Sequence, residues 1–70
     1  MTKFGHFLNE KSLSRTLIAQ KSGLTKQRIS ELAIKESSKM RADELYMIAL
    51  AISMEPGDLL EALYSELRNK

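Results

Sequence analysis

Apolar residues recur along the chain at spacings of three and four, in five stripes separated by polar breaks. Phe4, Phe7 and Leu8 make the first stripe, which predicts a helix from about Lys3 to Lys11 with Thr2 as its N-cap. Gly5 weakens the start of that helix. A second helix begins after Ser14, carries Ile18 and Ala19 inward, and ends at Gly23, where the left-handed conformation suits a residue without a side chain. Thr25 caps a third helix, roughly Lys26 to Ile34, with Ile29 and Leu32 on its inner face. The polar segment "KESSKM" (35–40) reads as a loop. A fourth helix spans about Arg41 to Ser53, with Leu45, Ile48, Ala49 and Ile52 inward. Glu55-Pro56 restarts the chain, since proline is favoured at the first helical position. The fifth helix is expected to reach about Arg68, with Leu59, Leu60, Leu63 and Leu67 in its stripe.

Composition narrows the class. Seventy residues make one small domain, 1–70, and the absence of cysteine rules out disulfides and thiolate metal sites as braces. Apolar residues form 43% of the chain, enough for one compact core. Leu, Ile, Ala, Glu, Lys and Arg dominate and Val is absent, which favours helix. The longest apolar run, "LYMIALAI" (45–52), is far short of a membrane span, and the N-terminus has no signal-peptide pattern. A soluble cytoplasmic protein with no membrane partner is expected.

The net charge is only +2, but its distribution is uneven. Residues 1–41 carry nine Lys or Arg against three Glu, and residues 42–70 carry two cations against six acids. A basic first half suggests a polyanion partner, although small helical domains also show such asymmetry by chance.

Two short helices joined by a glycine turn form a helix-turn-helix, here at about residues 15–34. Small Ala19 permits close approach, and Ile18, Leu24, Ile29 and Leu32 have the spacing to pack the corner. These positions, with Leu13-Ser14 before the second helix, the "SGLTKQRIS" turn and the later "IALAISMEPGDLL", resemble the phage-repressor and Cro (XRE-like) family of DNA-binding domains. The resemblance runs from about Phe4 to Leu60. It implies a compact five-helix bundle whose third helix lies in the major groove of double-stranded DNA. It further implies that Thr25, Lys26, Gln27, Ser30, Glu31 and Ile34 are presented to DNA. The chain departs from the family's pattern in four places. Arg15 stands for the usual Gln, Leu17 for a Glu and Ser12 for a Gly, and the loop after the third helix is one residue longer.

The residues themselves suit that role. Lys26 can donate to guanine, Gln27 can pair bidentately with adenine, and Glu31 can accept from cytosine. Arg28 reaches a base or a phosphate depending on the tilt of the helix. Thr25 sits at a helix N-terminus, where its hydroxyl and free N–H groups suit a phosphate. Arg15, Lys35, Lys39 and Arg41 flank the motif and suit contacts that position without specifying. The same "TKQR" also reads as an ordinary solvated face.

Catalytic chemistry has little to stand on. His6 is the only histidine and has no cysteine near it. Asp43-Glu44 open the fourth helix, and Asp58 and Glu61 likewise start the fifth, where acids favour the dipole. Ser14 and Ser22 lack a nearby base. No enzyme, metal, cofactor or small-molecule ligand is expected.

The fourth helix is apolar nearly all round, unlike a surface helix. Either the C-terminal helix, with Tyr64, folds over it, or a second subunit does. A homodimer through Met47, Leu50, Leu63, Tyr64 and Leu67 is the expectation. The function expected is a sequence-specific transcriptional regulator of repressor type. The alternative is a protein-binding helical module, antitoxin-like or an adaptor, that does not need DNA.

Overall fold

The computed structural model describes residues 1–69. Five α-helices follow one another among the described residues, α1 Lys3–Glu10, α2 Arg15–Ser22, α3 Lys26–Ile34, α4 Ala42–Ala51 and α5 Pro56–Tyr64, and a 3₁₀ turn, Ser65–Asn69, follows α5. No strand occurs among the described residues. The all-α architecture is the one the apolar spacing predicts, and the boundaries of α1 to α4 fall within two residues of expectation.

Local chemistry fixes those boundaries. The side-chain oxygens of Thr2, Ser14 and Thr25 accept the backbone N–H of Gly5, Leu17 and Arg28 at 3.0, 3.2 and 3.0 Å, so each caps a helix start. Gly23 ends α2 at φ +82°, with its N–H on the carbonyl of Ala19 at 3.1 Å. Ser12 and Ser53 take the same left-handed conformation after α1 and α4, at φ 56° and 60°. In both cases the next residue closes the helix end, Leu13 N–H to Leu8 O at 2.9 Å and Met54 N–H to Ala49 O at 2.8 Å. Two serines thus hold positions that glycine fills with less strain.

The helices pack α2 against α3 and α4, α1 against α3 and α5, and α4 against α5. Leu8, Ile29, Ile48 and Leu59 are fully enclosed, one from each of α1, α3, α4 and α5, and Ile18 adds α2 to the same cluster. Each such side chain contributes about 1.5–3 kcal/mol through burial. Thr2 fastens the first helix to the third. Its hydroxyl donates to Leu32 O at 2.6 Å and its N–H to Ala33 O at 3.0 Å, satisfying carbonyls at the end of α3.

The fifth helix differs from expectation. Its α-helical part stops at Tyr64 and not near Arg68, because no core lies beneath the following turn and every residue from Ser65 to Asn69 is exposed. Leu60 and Leu67 face solvent, while Leu59 and Leu63 face the core. Leu63, at 5% exposure, is therefore a core residue and not a surface available for pairing, which corrects its expected place at a subunit interface.

Candidate nucleic-acid interface

The outward face of α3 is built by exclusion. Ile29, Leu32 and Ala33 are buried, which fixes the rotation of the helix about its axis. At 100° per residue, Lys26, Ser30, Ile34, Gln27 and Glu31 then share an arc of about 140° on the opposite side. Lys26, Gln27 and Ile34 are exposed, and Ser30 and Glu31 are half-buried. The arc offers a cation, an amide, a hydroxyl, a carboxylate and an apolar tip. At its N-terminal end the Thr25 hydroxyl accepts the Arg28 N–H, so its proton is free for an acceptor outside the chain. The amides of Lys26 and Gln27, in the first helical turn, have no acceptor within the helix.

Arg28 behaves differently from its neighbours. Its Nε donates to Glu44 Oε2 at 2.7 Å, and its Nη2 donates to Glu44 Oε1 at 3.0 Å and to the carbonyl of Lys39 at 3.1 Å. Nη1 lies 3.5 Å from Glu31 Oε1. Every guanidinium nitrogen thus has a partner inside the protein, and these partners compete with the expected reach of Arg28 to a base or phosphate. Glu44 is 3% exposed, and its Oε1 also accepts the Arg41 N–H at 2.9 Å. These bonds, the Arg28 one foremost, hold the Glu44 carboxyl below the usual carboxylate range despite its burial.

From the sequence, Glu44 reads only as an acid favouring the helix dipole. The Arg41-x-x-Glu44 spacing carries a partial signal, since an acid at that position commonly reaches back to the capping residue. Nothing local identifies Arg28, sixteen residues away, as its partner.

The remaining cations divide by location. Lys3 pairs with Glu66, Arg41 with Asp43 at 2.9 Å and Arg68 with Glu61 at 2.9 Å. Arg15, at the start of α2, Lys26 on α3, and Lys35 and Lys39 in the following loop have no acidic partner among the described residues. Lys11 and Lys21 are likewise unpaired there, and neither was singled out from the sequence. Arg41 is exposed, but its fork is closed on Asp43, whose carboxyl it holds below the ordinary range. Every unpaired cation of the described residues lies between Lys11 and Lys39.

The sequence profile of the Cro/C1-type helix-turn-helix DNA-binding domain matches residues 3–63. The chain belongs to that family. Comparison with curated proteins and with solved structures gave no significant match. The Cro/C1-type assignment makes this a DNA-binding regulator in general terms, and it covers all five helices up to Leu63. Among the described residues of this Cro/C1-type domain, no cluster of His, Cys, Asp or Glu could hold a metal ion, and no helix is long and apolar enough to cross a membrane.

Proposed function

We propose that the protein is a sequence-specific regulator of repressor type that lays α3 in the major groove of double-stranded DNA. Lys26, Gln27, Ser30, Glu31 and Ile34 face the base edges. Arg15, Thr25, Lys35, Lys39 and Arg41 meet phosphates and set the register. Arg41 does so only by exchanging Asp43 for a phosphate, so its contribution is the smallest of the five. The observation that carries the reading is that Arg15 at the start of α2, Lys26 on α3, and Lys35 and Lys39 after it have no acidic partner among the described residues. Within one domain of residues 1–70, acting in the cytoplasm, this arrangement suits a polyanion.

A homodimer is part of the proposal, since helix-turn-helix proteins grip two half-sites about 34 Å apart. Support comes from α4, where Tyr46 and Leu50 are 56% and 58% exposed, one turn apart, beside half-buried Met47. Leu60 and Leu67 add exposed apolar surface on the C-terminal segment. Tyr64 is turned toward α1, its ring 5.5 Å below the Lys3 ammonium, and belongs to the edge of this surface.

A gel shift with mixed duplexes at about 50 mM salt tests the reading, because non-specific phosphate contacts are strongest there. Binding that weakens steeply with salt is expected. Absence of binding removes the DNA reading and leaves a protein-binding module, with the α4 face as its contact.

A further inference from the structure

We propose that Arg28 is a positioning residue, and that with Glu44 it sets the angle of α3 and the course of the 35–41 loop against DNA. The inference rests on the DNA-binding reading above. Helix α3 packs on α1 and α2, whereas α4 packs on α2 and α5, so the seam between α3 and α4 needs its own tie. Arg28 supplies it. One face of its fork is closed by both Glu44 oxygens, at 2.7 and 3.0 Å, and Nη2 also holds the Lys39 carbonyl at 3.1 Å. The Arg41 N–H completes Glu44 Oε1 at 2.9 Å. Four pieces of chain meet at one pair: the first turn of α3, the loop at Lys39, the residue before α4, and α4 itself.

A planar fork on a carboxylate is directional, so it resists rotation as well as separation, which a lysine ammonium does not. The groups it holds are the ones that matter on a duplex. Gln27 precedes Arg28 in α3, and Lys39 belongs to the loop that Arg28 pins. Small displacements of Gln27 or Glu31 cost a bidentate base contact its geometry, while phosphate contacts from a flexible lysine tolerate them.

Removing Glu44 gives a test with an unusual sign. Glu44→Gln deletes a negative charge from a DNA-binding protein, so electrostatics alone predicts tighter binding to every duplex. The positioning role predicts lost discrimination instead. Affinities are measured for the full chain on a duplex recovered by the wild type from a random library, and on a scrambled duplex of the same length. Circular dichroism confirms that each protein is folded at the assay temperature. For Glu44→Gln the scrambled duplex is bound as well as before or better, and the ratio between the two duplexes falls about tenfold. Arg28→Lys, which keeps the charge and loses the fork, lowers the ratio similarly with an unchanged salt slope. Reselection with either variant relaxes several base positions together.

A ratio preserved in both variants overturns the proposal. So does a loss confined to one base pair in Arg28→Lys, which makes Arg28 itself a base reader. If a single variant does not fold, Arg28→Met with Glu44→Met replaces the half-buried pair by apolar contact. Full discrimination in that protein also overturns the proposal. A wild type that recovers no duplex removes the DNA reading, and this inference with it. A wild type that recovers one while the variants keep its ratio removes the positioning role alone.

Discussion

Gly5 of α1 lies directly against the carbonyl oxygen of Ala33 in α3, and a Cβ at Gly5 would come closer than 3.0 Å to that backbone. Gly5→Ala therefore forces α1 away from α3 and is expected to destabilise the protein by about 1–3 kcal/mol. Gly57, in the first turn of α5, has nothing within 4 Å of the same added atom. Gly57→Ala is expected to stabilise by about 0.5–1 kcal/mol through backbone entropy. Urea denaturation of the two variants decides the matter, and two changes of the same sign contradict the packing described.

The left-handed residues supply a second comparison. Gly23→Val places a branched side chain at φ +82° and should cost more than about 1 kcal/mol. Ser12→Gly and Ser53→Gly relieve the same conformation and should each gain a few tenths to about 1 kcal/mol. Thermal melts give the answer, and an unmoved midpoint for Gly23→Val shows that the chain does not turn there.

Acid should weaken the fold through Glu44. Its folded-state ionisation lies below the unfolded value, so the stabilisation is complete above the ordinary glutamate range and is lost as pH falls through the lowered value. Melting midpoints measured from pH 7 down to about pH 3 should fall for the wild type, given an unfolded glutamate value of about 4.3. Glu44→Gln should start lower at pH 7 and fall less. Parallel curves for the two proteins mean that the Arg28 pair does not set the acid sensitivity.

On DNA, Gln27→Ala should relax the preference at one base pair and cost about 1–3 kcal/mol on the best site. Arg15→Ala should weaken all duplexes alike and reduce the salt slope by about one unit. Equal weakening of every duplex by both variants is the outcome that removes base reading from α3.

The proposed dimer is tested by sedimentation equilibrium of the wild type and of Tyr46→Lys with Leu50→Lys. Self-association in the first and a monomer in the second are expected. A wild type that stays monomeric at high concentration, and binds DNA without cooperativity, leaves the α4 face without a second subunit.

Much of the fold was legible because its determinants are local. Thr2, Ser14, Thr25, Gly23 and Pro56 each announce a helix boundary through their own backbone or hydroxyl chemistry. The inner face of α3 followed from Ile29 and Leu32, while Ser30 and Ile34 were placed on its outer arc by the family resemblance. What escaped depends on approach between distant segments. Gly5 reads as a weak spot in a helix until Ala33 is placed against it. Arg28 reads as one more donor in a basic run until α4 brings Glu44 beneath it. On α5, Leu59, Leu60 and Leu63 fall within little more than one turn, and periodicity cannot say which of them a neighbouring helix will cover.

The Thr2 fastening also bears on the order of folding. The α2–α3 turn closes within a few residues, whereas the bonds from Thr2 to the end of α3 join positions thirty residues apart. Closing a loop of that length is an entropic step that local helix formation does not require. The last turn of α3 is thus among the final parts to be secured, and its loosening is an early event in opening. Thr2→Val should then speed unfolding while leaving the refolding rate nearly unchanged, as for contacts absent from the transition state. Amide exchange near Ile34 and Lys35 would rise in the same variant, marking α3 as the element that Thr2 keeps from fraying.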